Sequence, residues 1–336
     1  MKNDDIVITS AFRTAIGSFN GSLSSKTAPE LGSTVIKKCI ENSELKKEEV
    51  DMVYMGQVLT AGAGQNPARQ ASILAGLPHE TTNTTVNQVC GSGLASVALA
   101  YNSIKCGDGK LVIAGGQESM SNSPHYMNIR KGIKMGDGKM KDSMIIDGLW
   151  DVYNQYHMGI TAENVAEKFQ IRREEQDSFA AASQRKAAEA IKEKKFVNEI
   201  VPVKIKFKKE EIEFDKDEYP KAESTVEKLA KLRPAFKKDG TVTAGNASGV
   251  NDGAAAVCLM TGEMVKKKDI EPLAKIVSWA QCGVNPSIMG TGPIPASKLA
   301  LIKAGWDKNE LDLIESNEAF AAQAIAVNKE IGWIVD

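Results

Sequence analysis

Along the N-terminal part of the chain the apolar positions switch back and forth between short continuous runs and helical spacing. Residues 5–10 form an apolar run that reads as a buried strand, and 13–19 read as a loop leaving it. Leu31, Val35, Ile36, Cys39 and Ile40 recur on one face, which predicts a helix over 29–41. Residues 50–58 predict the next strand, and Asn66-Pro67 opens a further helix that Gly76 ends. The β-branched run 84–89 predicts a strand that breaks at Cys90-Gly91-Ser92-Gly93 into an Ala/Leu-rich helix. Residues 111–116 are then a buried strand bounded by glycines. Strands and helices alternating in this order predict a layered α/β lobe.

From 121 to 246 the texture changes to Met, Lys, Gly and polar residues, as in an insertion. Two helices are predicted within it, over 161–169 with Thr161 as N-cap and over 173–195. Residues 204–219 alternate charged and apolar side chains and predict a solvated β-hairpin. Regular texture resumes over 249–260. A weak repeat follows, in which Glu49-Val50-Asp51-Met52-Val53 returns as Glu310-Leu311-Asp312-Leu313-Ile314 at an offset of 261 residues, as do the helices before them. The repeat predicts a second strand at 310–314 and duplicated lobes. One more helix, over 318–330, leaves the second lobe with fewer elements than the first.

Composition narrows the classes. A chain of 336 residues with 25% charged residues, Lys+Arg 42 against Asp+Glu 43, has no global field for nucleic acid or a membrane surface. The start, MKNDDIVITSAF, has no secretory or transit pattern, and no stretch has the apolar length to span a bilayer, so a cytoplasmic location is expected. Five scattered cysteines without a C-x-x-C pair, and three dispersed histidines, suggest neither a disulfide framework nor a metal site.

The candidate chemistry lies at Cys90. A thiol at a strand-to-helix turn feels the positive end of the helix dipole, so its pKa is expected to fall. Gly91 and Gly93 remove Cβ atoms beside it, which admits a substrate carbonyl and lets the Cys90 N–H face a developing oxyanion. Cys90 thus reads as a nucleophile; the other reading is a buried core cysteine.

Further patterns join Asn87-Gln88-Val89-Cys90-Gly91-Ser92-Gly93: the run 115–121 (GGQESMS), 158–164 (MGITAEN), Arg233-Pro234-Ala235-Phe236, Gly245-Asn246-Ala247-Ser248 and Asn317-Glu318-Ala319-Phe320. In this order, over essentially the whole chain, they resemble the thiolases, and among them the bacterial biosynthetic acetoacetyl-CoA thiolases. The resemblance implies an α/β thiolase fold, with duplicated αβαβα five-layered lobes, an inserted loop domain and an incomplete second lobe. It divides the chain into an N-terminal lobe (1–120 plus 247–270), a CoA-binding loop domain (121–246) and a partial C-terminal lobe (271–336), and implies a homotetramer or homodimer.

The implied activity is condensation of two acetyl-CoA to acetoacetyl-CoA and CoA, and the reverse thiolysis, through acetyl-Cys90, with coenzyme A thioesters as substrates and no covalently bound cofactor. Such a reaction needs an acyl-accepting thiol, a base for a methyl proton and donors for two oxyanions. By resemblance Asn317 holds the water of the second oxyanion hole; read alone it is a helix N-cap. His157 matches a position at the thioester, and the His157-Met158 pair is similar to short-chain enzymes; read alone, His157 is a hydrogen-bonded core histidine. Phe236, Ala244 and Ser248 match the pantetheine tunnel, with Leu149, Met289 and Phe320 as further wall, and all read alone as packing. Lys221 stands where related enzymes carry an Arg near the adenine. The family's other catalytic His and Cys fall beyond Asp336, so the resemblance implies weak or no condensing activity for a polypeptide ending there, each lost group costing ~10²–10⁴ in rate. A broad 3-ketoacyl-CoA thiolase and a silent acyl-CoA-binding protein of the same fold are the alternatives.

Overall fold

The computed structural model describes residues 1–43 and 45–333, with Phe207 described by its backbone alone. Residues 334–336, the end of the expected C-terminal lobe, lie outside the described residues. The chain forms two units, one of Met1–Gly148, Phe196–Tyr219 and Val250–Ile276, the other of Leu149–Lys195, Pro220–Gly249 and Val277–Asp336.

The first unit is built on a mixed sheet of β1 (Ile6–Thr14), β2 (Gly17–Ser18), β3 (Met52–Gly56), β4 (Thr82–Val86), β5 (Leu111–Ser119), β10 (Ile200–Val201), β13 (Asn251–Thr261) and β14 (Ala274–Lys275). Its order is β10-β1-β13-β5-β3-β4, antiparallel across β1, β13 and β5 and parallel across β5, β3 and β4. The central strands read as unbroken apolar runs because both faces are covered. Along β5, Leu111 and Ile113 point to one core while Val112 and Ala114 point to the other. Helices α1 (Ala28–Asn42) and α2 (Pro67–Leu74) cover the first face, and α3 (Ser92–Cys106) covers the second. Helix α1 opens on a capping box between Thr27 and Glu30, and α2 on Asn66 followed by Pro67. A short hairpin, β6 (His125–Tyr126) with β7 (Lys141–Asp142), and helix α7 (Gly262–Lys268) belong to the same unit.

The expected hairpin is present as β11 (Val203–Phe207) and β12 (Glu210–Phe214), with Lys204 opposite Glu213 and Lys206 opposite Glu211. It is not wholly solvated. Val203, Ile205 and Phe214 are buried against the core of the first unit, so its apolar face docks while its charged ladder faces outward.

The second unit contains α4 (Met158–Lys168), α5 (Arg173–Lys192), α6 (Val226–Leu229), α8 (Pro293–Ala304), α9 (Ala321–Ile331) and a hairpin of β8 (Trp150–Asp151) with β9 (Tyr156–His157). Val165, Ile171, Ile325 and Ala326 form its apolar centre. Three expectations shift here. Helix α4 starts at Met158 instead of Thr161, because His157 supplies the capping acceptor and the Thr161 hydroxyl bonds back to the Met158 carbonyl at 2.6 Å. Helix α9 starts at Ala321, since Phe320 is extended and bridged to Ala247. The repeat holds as far as the matching 3-10 turns Lys47–Glu49 and Lys308–Glu310, but the predicted strand at 310–314 does not form, and Leu313 is 92% exposed. The first copy becomes β3 because β4 and β5 flank it; among the described residues the second copy has no such neighbours.

Candidate active site

The β3–β4 ladder ends at the Gly56–Val86 pair, so the strand expected to reach Val89 stops three residues earlier. The Asn87 side chain then takes the Val89 N–H at 3.0 Å, and the Gly91 N–H reaches back to the Gln88 carbonyl at 3.1 Å. Val89 is forced to φ 49°, a left-handed conformation that costs a β-branched residue about 1–2 kcal/mol. Strain of this kind concentrates where geometry serves chemistry. The next residue is Cys90, solvent-exposed.

Helix α3 is seated on the sheet through glycine. A Cβ on Gly56 would lie 2.5 Å from the Ser92 carbonyl carbon, and one on Gly116 3.4 Å from Gly93 Cα. The close approach is therefore at Gly56; a Cβ on Gly93 would meet Gly115 and Gly116 at 3.8–3.9 Å, ordinary contact, and it points at β5 instead of at a substrate beside the thiol. Ser96 adds a hydrogen bond from its hydroxyl to the Gly115 carbonyl at 2.7 Å.

The expected fall in the Cys90 pKa is reversed. Protein packed around the turn pushes the thiol up most, the Cys90 amide opposes this at its own sulfur, and the Glu118 carboxylate adds a smaller push upward. The dipole fails because it acts within the first turn, and Cys90 lies two residues ahead of the first helical residue. Glu118 accepts the Val58 and Leu59 N–H groups at 2.8 and 3.2 Å, yet its own pKa is raised, chiefly by burial. A thiol in this setting rests protonated at neutral pH and needs a base to become a nucleophile.

In the second unit the candidate residues gather at the start of α4. His157 Nδ1 accepts the Gly159 N–H at 3.1 Å, which places the ring proton on Nε2; burial holds its pKa below the usual histidine value. The imidazole stacks on Phe236 at 4.7 Å, and Phe236 meets Phe320 edge-on at 6.2 Å. Phe236 rests directly on the helix, since a Cβ on Gly159 would come within 2.2 Å of its ring. Phe320 is held in turn by two backbone bonds, Ser248 N–H to the Ala319 carbonyl and Ala321 N–H to the Asn246 carbonyl, both 2.9 Å. Asn246 is fixed below: its amide donates to Asp177 at 2.9 Å, and Asp177 also receives Arg173 Nε at 2.7 Å. Glu163 takes the Thr241 and Val242 N–H groups and so anchors the loop leading to Ser248.

His157, Met158, Phe236, Phe320 and Ser248 are thus brought together, with Leu149 just before the hairpin that carries His157. Ala244 is exposed on the same loop as Ser248. Asn317 is exposed and does not cap α9, whose N-cap is Phe320; its neighbour Glu318 accepts the Ser183 hydroxyl at 2.6 Å. Lys221 is exposed, its N–H on the Gln184 side chain, and Met289 is half-buried in the 3-10 segment Pro286–Thr291. Sequence reasoning missed Asp177, Asn246 and Glu163 as the wall's supports. The signal was an Arg173/Asp177 pair at helical spacing, which resembles any surface ion pair. Among the described residues no cluster of three or more His, Cys, Asp or Glu could hold a metal ion, and no helix is long and apolar enough to cross a membrane.

Residues 6–263 match the family profile described as thiolase, N-terminal domain, and 270–336 that of the thiolase C-terminal domain. The acetyl-CoA acetyltransferase of Rhizobium meliloti (strain 1021) is 58% identical over 333 residues, 99% of this chain and 85% of the relative. That of Pseudomonas aeruginosa is 57% identical over 331 residues, 98% of this chain and 84% of the relative. The crystal structure of the Bacillus anthracis acetyl-CoA acetyltransferase superposes with a TM-score of 0.96 at 42% identity, over 99% of this chain and 85% of that one.

Proposed function

The chain belongs to the thiolase family and has its fold, and from that premise we propose that it is an acetyl-CoA acetyltransferase, condensing two acetyl-CoA to acetoacetyl-CoA and CoA and running the reverse thiolysis. Cys90 Sγ attacks the thioester carbon of the first acetyl-CoA; the new C–S bond forms as the bond to the CoA sulfur breaks, and CoA leaves with the electron pair and takes up the proton given up by the Cys90 thiol. The second acetyl-CoA loses a methyl proton to a base, its carbanion forms the C–C bond to the acetyl carbon as the C–S bond to Cys90 breaks, and that proton ends on the Cys90 thiolate, restoring the thiol. On this reading the Cys90 N–H serves the first oxyanion and a water on Asn317 the second, while the Nε2–H of His157 offers a donor to the thioester region. Met158, Phe236, Ser248 and Phe320 form a short acyl and pantetheine wall, with Leu149, Ala244, Met289 and Lys221 along the rest of the CoA. We place the enzyme in the cytoplasm as a homotetramer or homodimer, with CoA thioesters as substrates and no covalently bound cofactor.

The observation that carries the reading is the placement of Cys90 in this family: exposed at a strained turn, whereas Cys39 and Cys258 are buried in the sheet core. The relatives align with nearly the whole of this chain and lend no support to the expectation of a silent protein. Incubation with acetyl-CoA followed by intact-mass measurement is expected to show one acetyl group, absent in Cys90→Ser. A protein that binds CoA but gains no acetyl group would replace this reading with that of a binder, and efficient thiolysis of long 3-ketoacyl-CoA with that of a broad thiolase.

A further inference from the structure

One residue of the elbow has no part in the reaction as written. Ser92, the first residue of α3, is 4% exposed, and its hydroxyl is committed on both sides: it accepts the Gln88 N–H at 2.8 Å and donates to the Val89 carbonyl at 2.5 Å. The same carbonyl receives the Ser92 N–H at 3.0 Å. A trans peptide is planar, with its C=O and N–H pointing in opposite directions. Two donors on the Val89 oxygen therefore fix the direction of the Cys90 N–H. Without them, Val89 at φ 49° would relax toward the extended region its side chain prefers.

We propose that Ser92 is a positioning residue for acyl transfer: by clamping the 89–90 peptide it presets the Cys90 amide as an oxyanion donor. This rests on the reading of Cys90 as the acetylated nucleophile.

The test compares two reactions of one sulfur. Acetyl transfer from acetyl-CoA passes through an oxyanion, whereas iodoacetamide loses iodide from a saturated carbon and forms none. Ser92→Ala is expected to slow acetylation of Cys90 by on the order of 10²-fold, the effect of losing one oxyanion donor, while the alkylation rate and its pH midpoint stay as in the parent. Asn tolerates the left-handed conformation, so Val89→Asn combined with Ser92→Ala should recover part of the acetylation. Should Ser92→Ala fail to fold, the double variant measured against Val89→Asn alone carries the comparison, with a smaller loss confined to acetylation expected. Equal slowing of both reactions, or of neither, overturns the proposal. A parent protein that is alkylated but never acetylated overturns the nucleophile reading itself, and that result is visible before any variant is made.

Discussion

The elbow at Cys90 and the wall at His157 are held by opposite means. The elbow depends on a strained valine, a serine hydroxyl and a glycine seam between α3 and the sheet. The wall depends on two buried carboxylates, Asp177 and Glu163, which collect hydrogen bonds from Arg173, Asn246, Thr241 and Val242. A clamp of neutral groups can be loosened with the fold intact. A buried charge network cannot, because each partner removed leaves another uncompensated.

Asp177→Ala should therefore have the largest effect. Among the described residues it removes the only carboxylate paired with the Arg173 guanidinium and one of the two acceptors of the Asn246 amide, and is expected to cost about 3 kcal/mol, read from the denaturant midpoint. A loss under ~1 kcal/mol would mean that the wall does not hang on this carboxylate. Gly159→Ala comes next. Its methyl would lie 2.2 Å from the Phe236 ring, so about 1–3 kcal/mol of overpacking is expected, together with a rise in KM for acetyl-CoA that exceeds any fall in kcat. Alkylation of Cys90 should proceed unchanged in that variant, and a slowed elbow would break the contrast.

Smaller effects separate the units by pH. Burial pushes Cys39 and Cys258, in the first unit, up to about 12. Their folded pKa is raised, so their contribution is complete below the ordinary thiol range and is lost as pH climbs from there toward the folded value. By pH ~9.5 each should have cost about 1 kcal/mol, and Cys258→Ala should flatten the alkaline fall in unfolding free energy. In the second unit Glu175 is held at about 2, first by the Arg172 N–H and then by Lys329. Its pKa is depressed, so its contribution is present above the ordinary carboxylate value and is lost as pH falls toward 2. With partners this accessible the effect should stay below about 1 kcal/mol, checked by comparing Glu175→Gln with the parent in acid.

Much of the first unit was legible because its periods are strong. The spacing of Leu31, Val35, Ile36, Cys39 and Ile40 matches the buried face of α1, and Gly76 does follow α2, at φ 80°. The capping error at Thr161 has a clear cause: its hydroxyl is spent on the Met158 carbonyl inside the first turn, and the cap is His157, a side chain rarely read as one. The strand expected at 310–314 shows the limit of a repeat, since a sequence can return without the neighbours that make it a strand. The direction of the Cys90 pKa was not legible at all. It depends on the protein packed around the turn, on the sulfur's own amide and on Glu118, which is close only in space.

The close approach at Gly56 has a mechanical consequence. A Cβ there would lie 2.5 Å from the Ser92 carbonyl carbon, so at this point the first turn of α3 meets β3 backbone to backbone. The tip of the helix takes its height there from the strand and not from a side chain that can change rotamer. A methyl group at position 56 would act as a shim, lifting that first turn and the Cys90 turn before it off the sheet.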